Sequence, residues 1–121
     1  MMRGVSHSVL IVDDHPSFRS TAGRLLESEG FTVAGTAGTA AEALSTAREL
    51  QPDVVLLDLN LPDGNGYVVA EALASEVRGA TVVLVSTHDP EDFRPSEVSD
   101  NVAGFVPKQD LSGATLASLL V

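Results

Sequence analysis

Five short apolar runs divide the chain: SVLIVD (8–13), FTVAGT (31–36), DVVLLD (53–58), TVVLVS (81–86) and NVAGFV (101–106). They are β-branched and mostly continuous. A continuous apolar strand is one buried on both faces, which points to a parallel sheet covered by helices. The intervening segments supply those helices. Phe18, Ala22, Leu25 and Leu26 form one stripe, Ala40, Ala43, Leu44 and Ala47 a second, and Val69, Ala72, Leu73 and Val77 a third; Leu111, Thr115, Ala117 and Leu120 mark a fourth. A β-α unit repeated five times requires right-handed crossovers and places helices on both faces of a doubly wound, five-stranded parallel sheet.

One segment strains this pattern. HDPEDFRPSEVSDN (88–101) occupies the place of the fourth helix. Asp89 suits an N-cap, Pro90 the first helical position, and Glu91 and Asp92 the first turn. Pro95 then falls in the helix interior, where a proline costs ~3 kcal/mol or more. The expectation is a short, displaced or irregular fourth helix.

The 121 residues amount to a single domain, 1–121, with no second domain. The net charge of −10 disfavours direct nucleic-acid binding. The absence of cysteine removes disulfides and thiolate metal sites and fits a reducing compartment. No apolar run is long enough to span a bilayer, and residues 1–8 contain no signal-peptide core. These features describe a soluble cytoplasmic chain.

In an open parallel sheet, ligands bind beyond the carboxyl ends of the strands. The first apolar run ends in Asp13-Asp14, the third in Asp58 and the fourth in Ser86-Thr87, and Lys108 follows the fifth. Three carboxylates, a hydroxyl and an amine therefore gather at one edge. Two readings of the adjacent acids are open. Either Asp13 and Asp14 cap a turn or helix, or a hard cation such as Mg²⁺, which takes oxygen ligands, neutralises them. Lys108 is the only lysine beside six arginines; an arginine-preferring composition accounts for that by itself, and a role that arginine cannot fill is the alternative.

VLIVDDHP, VVLLDLNLPDGNG, VLVSTHD and GFVPK, in that order and with family-like separations, resemble the receiver domains of two-component response regulators. The resemblance covers essentially the whole chain. DDHP and GFVPK look most like the subfamily that usually carries a C-terminal helix-turn-helix. It implies a flavodoxin-like fold and a phosphoryl-accepting switch. Asp58 would be the phosphoacceptor, Asp14 a direct Mg²⁺ ligand, Asp13 an acid reaching the metal through water, and Asn60 a backbone-carbonyl ligand. Lys108 and Ser86 would bind phosphoryl oxygens, and Phe105 would be the aromatic that turns inward when Ser86 moves. The implied partners are a histidine kinase or phosphotransfer protein, an unspecified downstream target or output domain, and a second copy in a phosphorylation-dependent homodimer.

Other features carry structural expectations. Pro62, Gly64 and Gly66 shape the loop after Asp58. His15 reads as a loop residue, and His88 as either a solvent-exposed polar residue or an influence on the phosphoryl site. GTAGTA (35–40) lacks the Gly-Lys-Ser/Thr ending of a P-loop. Three departures from the family pattern stand out: Thr87 where a smaller residue is usual, Gln109 in place of a proline after the lysine, and Pro95. Two other functions compete with the switch. One is a receiver-like interaction module that signals without phosphorylation. The other is a phosphohydrolase with an aspartyl nucleophile, which needs a second Asp where this chain has Asn60. The expectation is a protein that acts only on its own acyl phosphate and is not an enzyme with a separate product.

Overall fold

The computed structural model describes residues 7–87 and 98–120. The chain runs β1 (Ser8–Val12), α1 (Pro16–Ser28), β2 (Thr32–Ala37), α2 (Ala40–Leu50), β3 (Val54–Asp58), a short hairpin of β4 (Asn60–Leu61) and β5 (Gly64–Asn65), α3 (Gly66–Glu76), β6 (Thr81–Ser86), β7 (Val102–Pro107), a 3-10 turn at Lys108–Asp110, and α4 (Gly113–Leu119). The five long strands form one sheet in the order β2-β1-β3-β6-β7, with every neighbouring pair parallel. This is the doubly wound fold expected from the alternating pattern. The expected fourth helix, with Pro95, and His88 lie outside the described residues.

The sheet separates two cores. Leu10, Val12, Val55, Leu57, Val82 and Leu84 face α2 and α3, meeting Ala43, Ala47, Val69 and Leu73. Val9, Ile11, Val54, Leu56, Val83 and Val85 face α1 and α4, meeting Ala22, Leu26 and Leu116. Successive residues of a strand point to opposite faces, so the continuous apolar runs of β1, β3 and β6 fill both cores. Each fully buried Val or Leu contributes roughly 1.5–3 kcal/mol.

Two sequence expectations change at the periphery. β2 and β7 are edge strands, each with one strand neighbour, and β2 alternates between exposed and half-buried residues up to the buried Ala37. The final helix keeps part of its expected stripe and adds to it. Ser112 caps it by accepting the Thr115 N–H at 3.0 Å; Gly113 and Leu116 are buried, and Leu111 and Leu120 pack against the same core. Leu111 precedes the helix and Ala117 is exposed.

Helix ends are closed locally where the sequence provides caps. Thr39 caps α2 by accepting the Glu42 N–H at 3.1 Å, and the Glu42 side chain reaches back past the cap to accept the Gly38 N–H at 2.8 Å. Asn65 caps α3 through the Val68 N–H at 3.0 Å. The carboxyl ends of β1, β3, β6 and β7 are left at one edge.

Candidate functional site

β1 keeps its ladder one residue past its apolar run, since the Asp13 N–H donates to the Ala37 carbonyl at 3.0 Å. That holds the Asp13 side chain inside, fully buried. The chain then turns sharply. The His15 N–H donates to Asp13 Oδ1 at 2.8 Å, Arg19 Nη1 donates to the Asp13 carbonyl at 2.7 Å, and Pro16 opens α1. The turn puts Asp14 at the surface. It also brings His15 Nδ1 to 3.0 Å from Asp13 Oδ1 and 3.2 Å from Asp14 Oδ1.

Asp58 ends β3 and is buried. Its Oδ1 accepts the Asn60 N–H at 3.1 Å. The β4–β5 hairpin beyond it is anchored from two sides. Asp63 Oδ1 and Oδ2 accept the N–H groups of Ala40 and Ala41 at 2.7 and 3.1 Å, so a residue of the hairpin satisfies the start of α2. The Gly66 N–H donates to the Leu59 carbonyl at 2.8 Å. A Cβ on Gly66 would stand 2.9 Å from both the Asp58 carbonyl oxygen and Leu59 Cα, so the backbone needs glycine there for closeness.

Lys108, at the start of the turn after β7, reaches back across the sheet edge. Its Nζ lies 2.5 Å from Asp13 Oδ2 and 3.5 Å from Asp58 Oδ2, and 4.6 Å from the centre of the Phe18 ring. Asp13 Oδ2 is buried and takes no hydrogen bond of directed geometry, so the contact with Lys108 is a close ion pair. Phe18 gives the ammonium a cation–π neighbour on its other side.

These contacts set the charge states. Burial by itself raises the Asp13 carboxyl, but the Lys108 ammonium and the backbone and ring of His15 outweigh it and hold Asp13 below the usual carboxylate value. Burial dominates at Asp58. The Asn60 N–H and Lys108 pull its pKa down, the charge of Asp13 pushes it up, and the net result is raised. Asp58 therefore ionises less readily than a free carboxyl, and an added cation would favour its charged form.

Ser86 ends β6 and is buried. Its strand neighbour is Pro107, and two residues earlier Leu84 pairs with Phe105. Leu84 and Ser86 share a face by the two-residue period, which places the hydroxyl and the half-buried Phe105 ring on the α3 side of the sheet, one pleat apart. Thr87 is exposed and, with His15, Phe18, Thr21, Leu25 and Lys108, lines a groove of about 510 Å³ opening beside the carboxylates.

Asp13, Asp14, Asp58, Asn60, Ser86 and Lys108 thus lie at the strand edge or in the turns that leave it, and Phe105 lies within β7. Lys108 contacts both Asp13 and Asp58, Asp14 lies in the same cluster, the Asn60 N–H bonds Asp58, and Ser86 and Phe105 are one pleat apart on neighbouring strands. Ligand atoms of Asp13, Asp14, His15 and Asp58 lie within 4.8 Å of one another. Three carboxylates, one of them solvent-facing, suit a hard divalent cation that retains water. Sequence reasoning did not identify His15, Asp63 or Phe18 as parts of this site. The position of His15 directly after the acidic pair was the only available signal.

Comparison with known proteins agrees with the geometry. The family model of the response regulator receiver domain matches residues 9–118. The chain is 35% identical over 113 residues to the transcriptional regulatory protein MctR of Rhizobium johnstonii, covering 93% of this chain and 52% of that protein. It is 34% identical over 113 residues to the response regulator GacA of Pseudomonas viridiflava, covering 93% and 51%. The chain therefore spans about half the length of these curated relatives. Among solved structures, a two-component response regulator of the LuxR family from Aurantimonas sp. SI85-9A1 superposes with a TM-score of 0.82 at 28% identity, covering 96% of this chain and 86% of that one.

Proposed function

This chain belongs to the response regulator receiver family, and on that premise we propose that it is a phosphoryl-accepting switch whose acceptor is Asp58, fed by a histidine kinase or phosphotransfer protein in the cytoplasm. The observation that carries the proposal is the Lys108 ammonium, held 3.5 Å from a buried Asp58 carboxylate whose pKa is raised. Such a carboxylate has lost the solvation that would make it inert, and a cation stands beside the position a phosphoryl oxygen would take.

Asp58 attacks phosphorus in line. The P–N bond of a phosphohistidine donor breaks and its electron pair leaves with the imidazole, while the new O–P bond makes an acyl phosphate. Asp13, Asp14, Asp58 and the Asn60 carbonyl would hold Mg²⁺, which when bound supplies positive charge that relieves the repulsion between the carboxylate and the incoming phosphoryl oxygens. Lys108 moves its ammonium toward a phosphoryl oxygen, and the Ser86 hydroxyl donates to another. Phe105, one pleat from Ser86 on the same face, then has a hydroxyl whose displacement it can follow. The chain acts only on its own acyl phosphate. Its relatives are described as transcriptional regulators, and we extend that output to the phosphorylated form of this chain.

The test is intact mass after incubation with acetyl phosphate and Mg²⁺. One added phosphoryl group is expected in the wild type and none in Asp58→Asn. An unmodified wild type, with a kinase donor also failing, would assign the fold to phosphorylation-independent binding.

A further inference from the structure

We propose that His15 is a nitrogen ligand of the cation site, making it a mixed nitrogen and oxygen centre that favours borderline transition-metal ions over Mg²⁺ more strongly than carboxylates alone would. The proposal builds on the cation site described above and adds a donor of different chemistry to it.

The geometry comes first. His15 Nδ1 lies 3.0 Å from Asp13 Oδ1 and 3.2 Å from Asp14 Oδ1. An octahedral ion with bonds of about 2.1 Å holds neighbouring donors about 3.0 Å apart. The ring nitrogen therefore already stands at the spacing of an adjacent ligand from each of the two carboxylate oxygens. Asp58 belongs to the same cluster. The Asp13 carboxylate beside the ring is fully buried; its Oδ1 faces His15 and its Oδ2 is paired with the Lys108 ammonium.

The same spacing lets Nδ1–H donate to Asp13, and without a cation that is the ring's role. The two roles exclude each other, because a ligating nitrogen carries no proton. The ring is free to change role: the side chain is 63% exposed, and His15 makes no side-chain cap on α1. What decides between the roles is the chemistry of the ion. Mg²⁺ prefers oxygen and leaves the imidazole hydrogen-bonded to Asp13. Ni²⁺ and Cu²⁺ prefer imidazole and take the nitrogen directly. Oxygen donors alone would already rank these ions above Mg²⁺. The ring adds to that gap, and the addition is what the experiment reads.

The whole chain, as wild type, His15→Ala and His15→Phe, is titrated with Mg²⁺ and with Ni²⁺ at about pH 8, where free imidazole is neutral. Cu²⁺-loaded samples are examined by electron paramagnetic resonance for coupling to a ring ¹⁴N. The expected result is a Ni²⁺/Mg²⁺ affinity ratio about tenfold or more lower in both variants, from weaker Ni²⁺ binding with Mg²⁺ unchanged or tighter. Nitrogen coupling should be present in the wild type and lost in His15→Phe. An unchanged ratio, or nitrogen coupling that persists in both variants, overturns the proposal. The phosphorylation assay is scored separately. If Asp58 is phosphorylated but the ratio does not move, the switch stands and the nitrogen ligand falls. If the ratio moves but Asp58 takes no phosphoryl group, the nitrogen ligand stands without the switch.

Discussion

The Lys108 ammonium lies closer to Asp13 than to Asp58, at 2.5 Å against 3.5 Å. The lysine thus neutralises the acid that is not the acceptor. Removing it strands a fully buried carboxylate. Lys108→Met should destabilise the metal-free protein by roughly 3–5 kcal/mol, the cost of breaking a buried pair from one side. Mg²⁺ should restore much of that loss, and should bind Lys108→Met more tightly than wild type because its competitor for Asp13 is gone. Denaturant titrations with chelator and with Mg²⁺ measure both effects. Equal losses in the two conditions would mean that lysine and metal do not share Asp13.

Asp58 should behave in the opposite way. Its carboxyl is raised by burial, so the folded state holds this proton more tightly than the unfolded one. The contribution of Asp58 to stability then falls as pH rises from the ordinary carboxylate value, about 4, through the raised one. Asp58→Asn removes that fall. It should melt a few degrees higher than wild type at neutral pH without metal, and gain less than wild type on adding Mg²⁺. A lower melting temperature in chelator would show that the attraction of Lys108 outweighs the cost of burial.

Asp63 ties the hairpin after Asp58 to α2, and its carboxyl is lowered by the N–H groups of Ala40 and then Ala41. A depressed carboxyl contributes stability above its unfolded value that is lost as pH falls through the folded one. Asp63→Ala should therefore lower the melting temperature at neutral pH, with the gap from wild type closing on acidification. It should also weaken Mg²⁺ binding, because the hairpin carries Asn60. A gap that stays constant with pH would place the effect elsewhere.

Gly66→Ala should cost about 1–3 kcal/mol, the usual range for forcing a methyl group into packed surroundings. The atoms it would meet are backbone, the Asp58 carbonyl oxygen and Leu59 Cα, which cannot swing aside as a side chain can. The strain falls on the acceptor itself. Phosphorylation by acetyl phosphate should slow more than in a control of equal stability loss in the α1-side core, such as Ile11→Val. Matched rates would make Gly66 a matter of packing alone.

The parts of this molecule visible in the sequence were those governed by a local period or by strand ends. Val9 to Val12 and Val54 to Leu57 announced a buried sheet because both their faces are covered, and Asp13, Asp58, Ser86 and Lys108 followed from asking what ends each strand. The hidden parts depend on distant segments meeting. Nothing near Asp63 in sequence shows that it will accept the N–H groups of Ala40 and Ala41. Nothing near Phe18 shows that a lysine will lie over its ring. His15 was adjacent to the acids, yet its ring position follows from the turn set by Asp13 Oδ1 and the His15 N–H. The last helix was only partly legible: Leu111 and Leu120 do pack against the core, but the buried Gly113 and Leu116 follow from a helix start set by the Ser112 cap.

The order of strands in the sheet has a consequence for when the molecule becomes competent. Asp13 leaves the central region at β1, Asp58 at its neighbour β3, and Lys108 only after β7 has paired on the far side of β6. A chain emerging from the ribosome can bring its acids together before its ammonium arrives. Until β7 docks, the acidic pocket lacks the Lys108 ammonium, and cations from solution can stand in for it. Divalent ions are then expected to accelerate the late steps of folding as well as stabilise their product, and a nascent chain cannot respond to a phosphodonor before its last strand is in place.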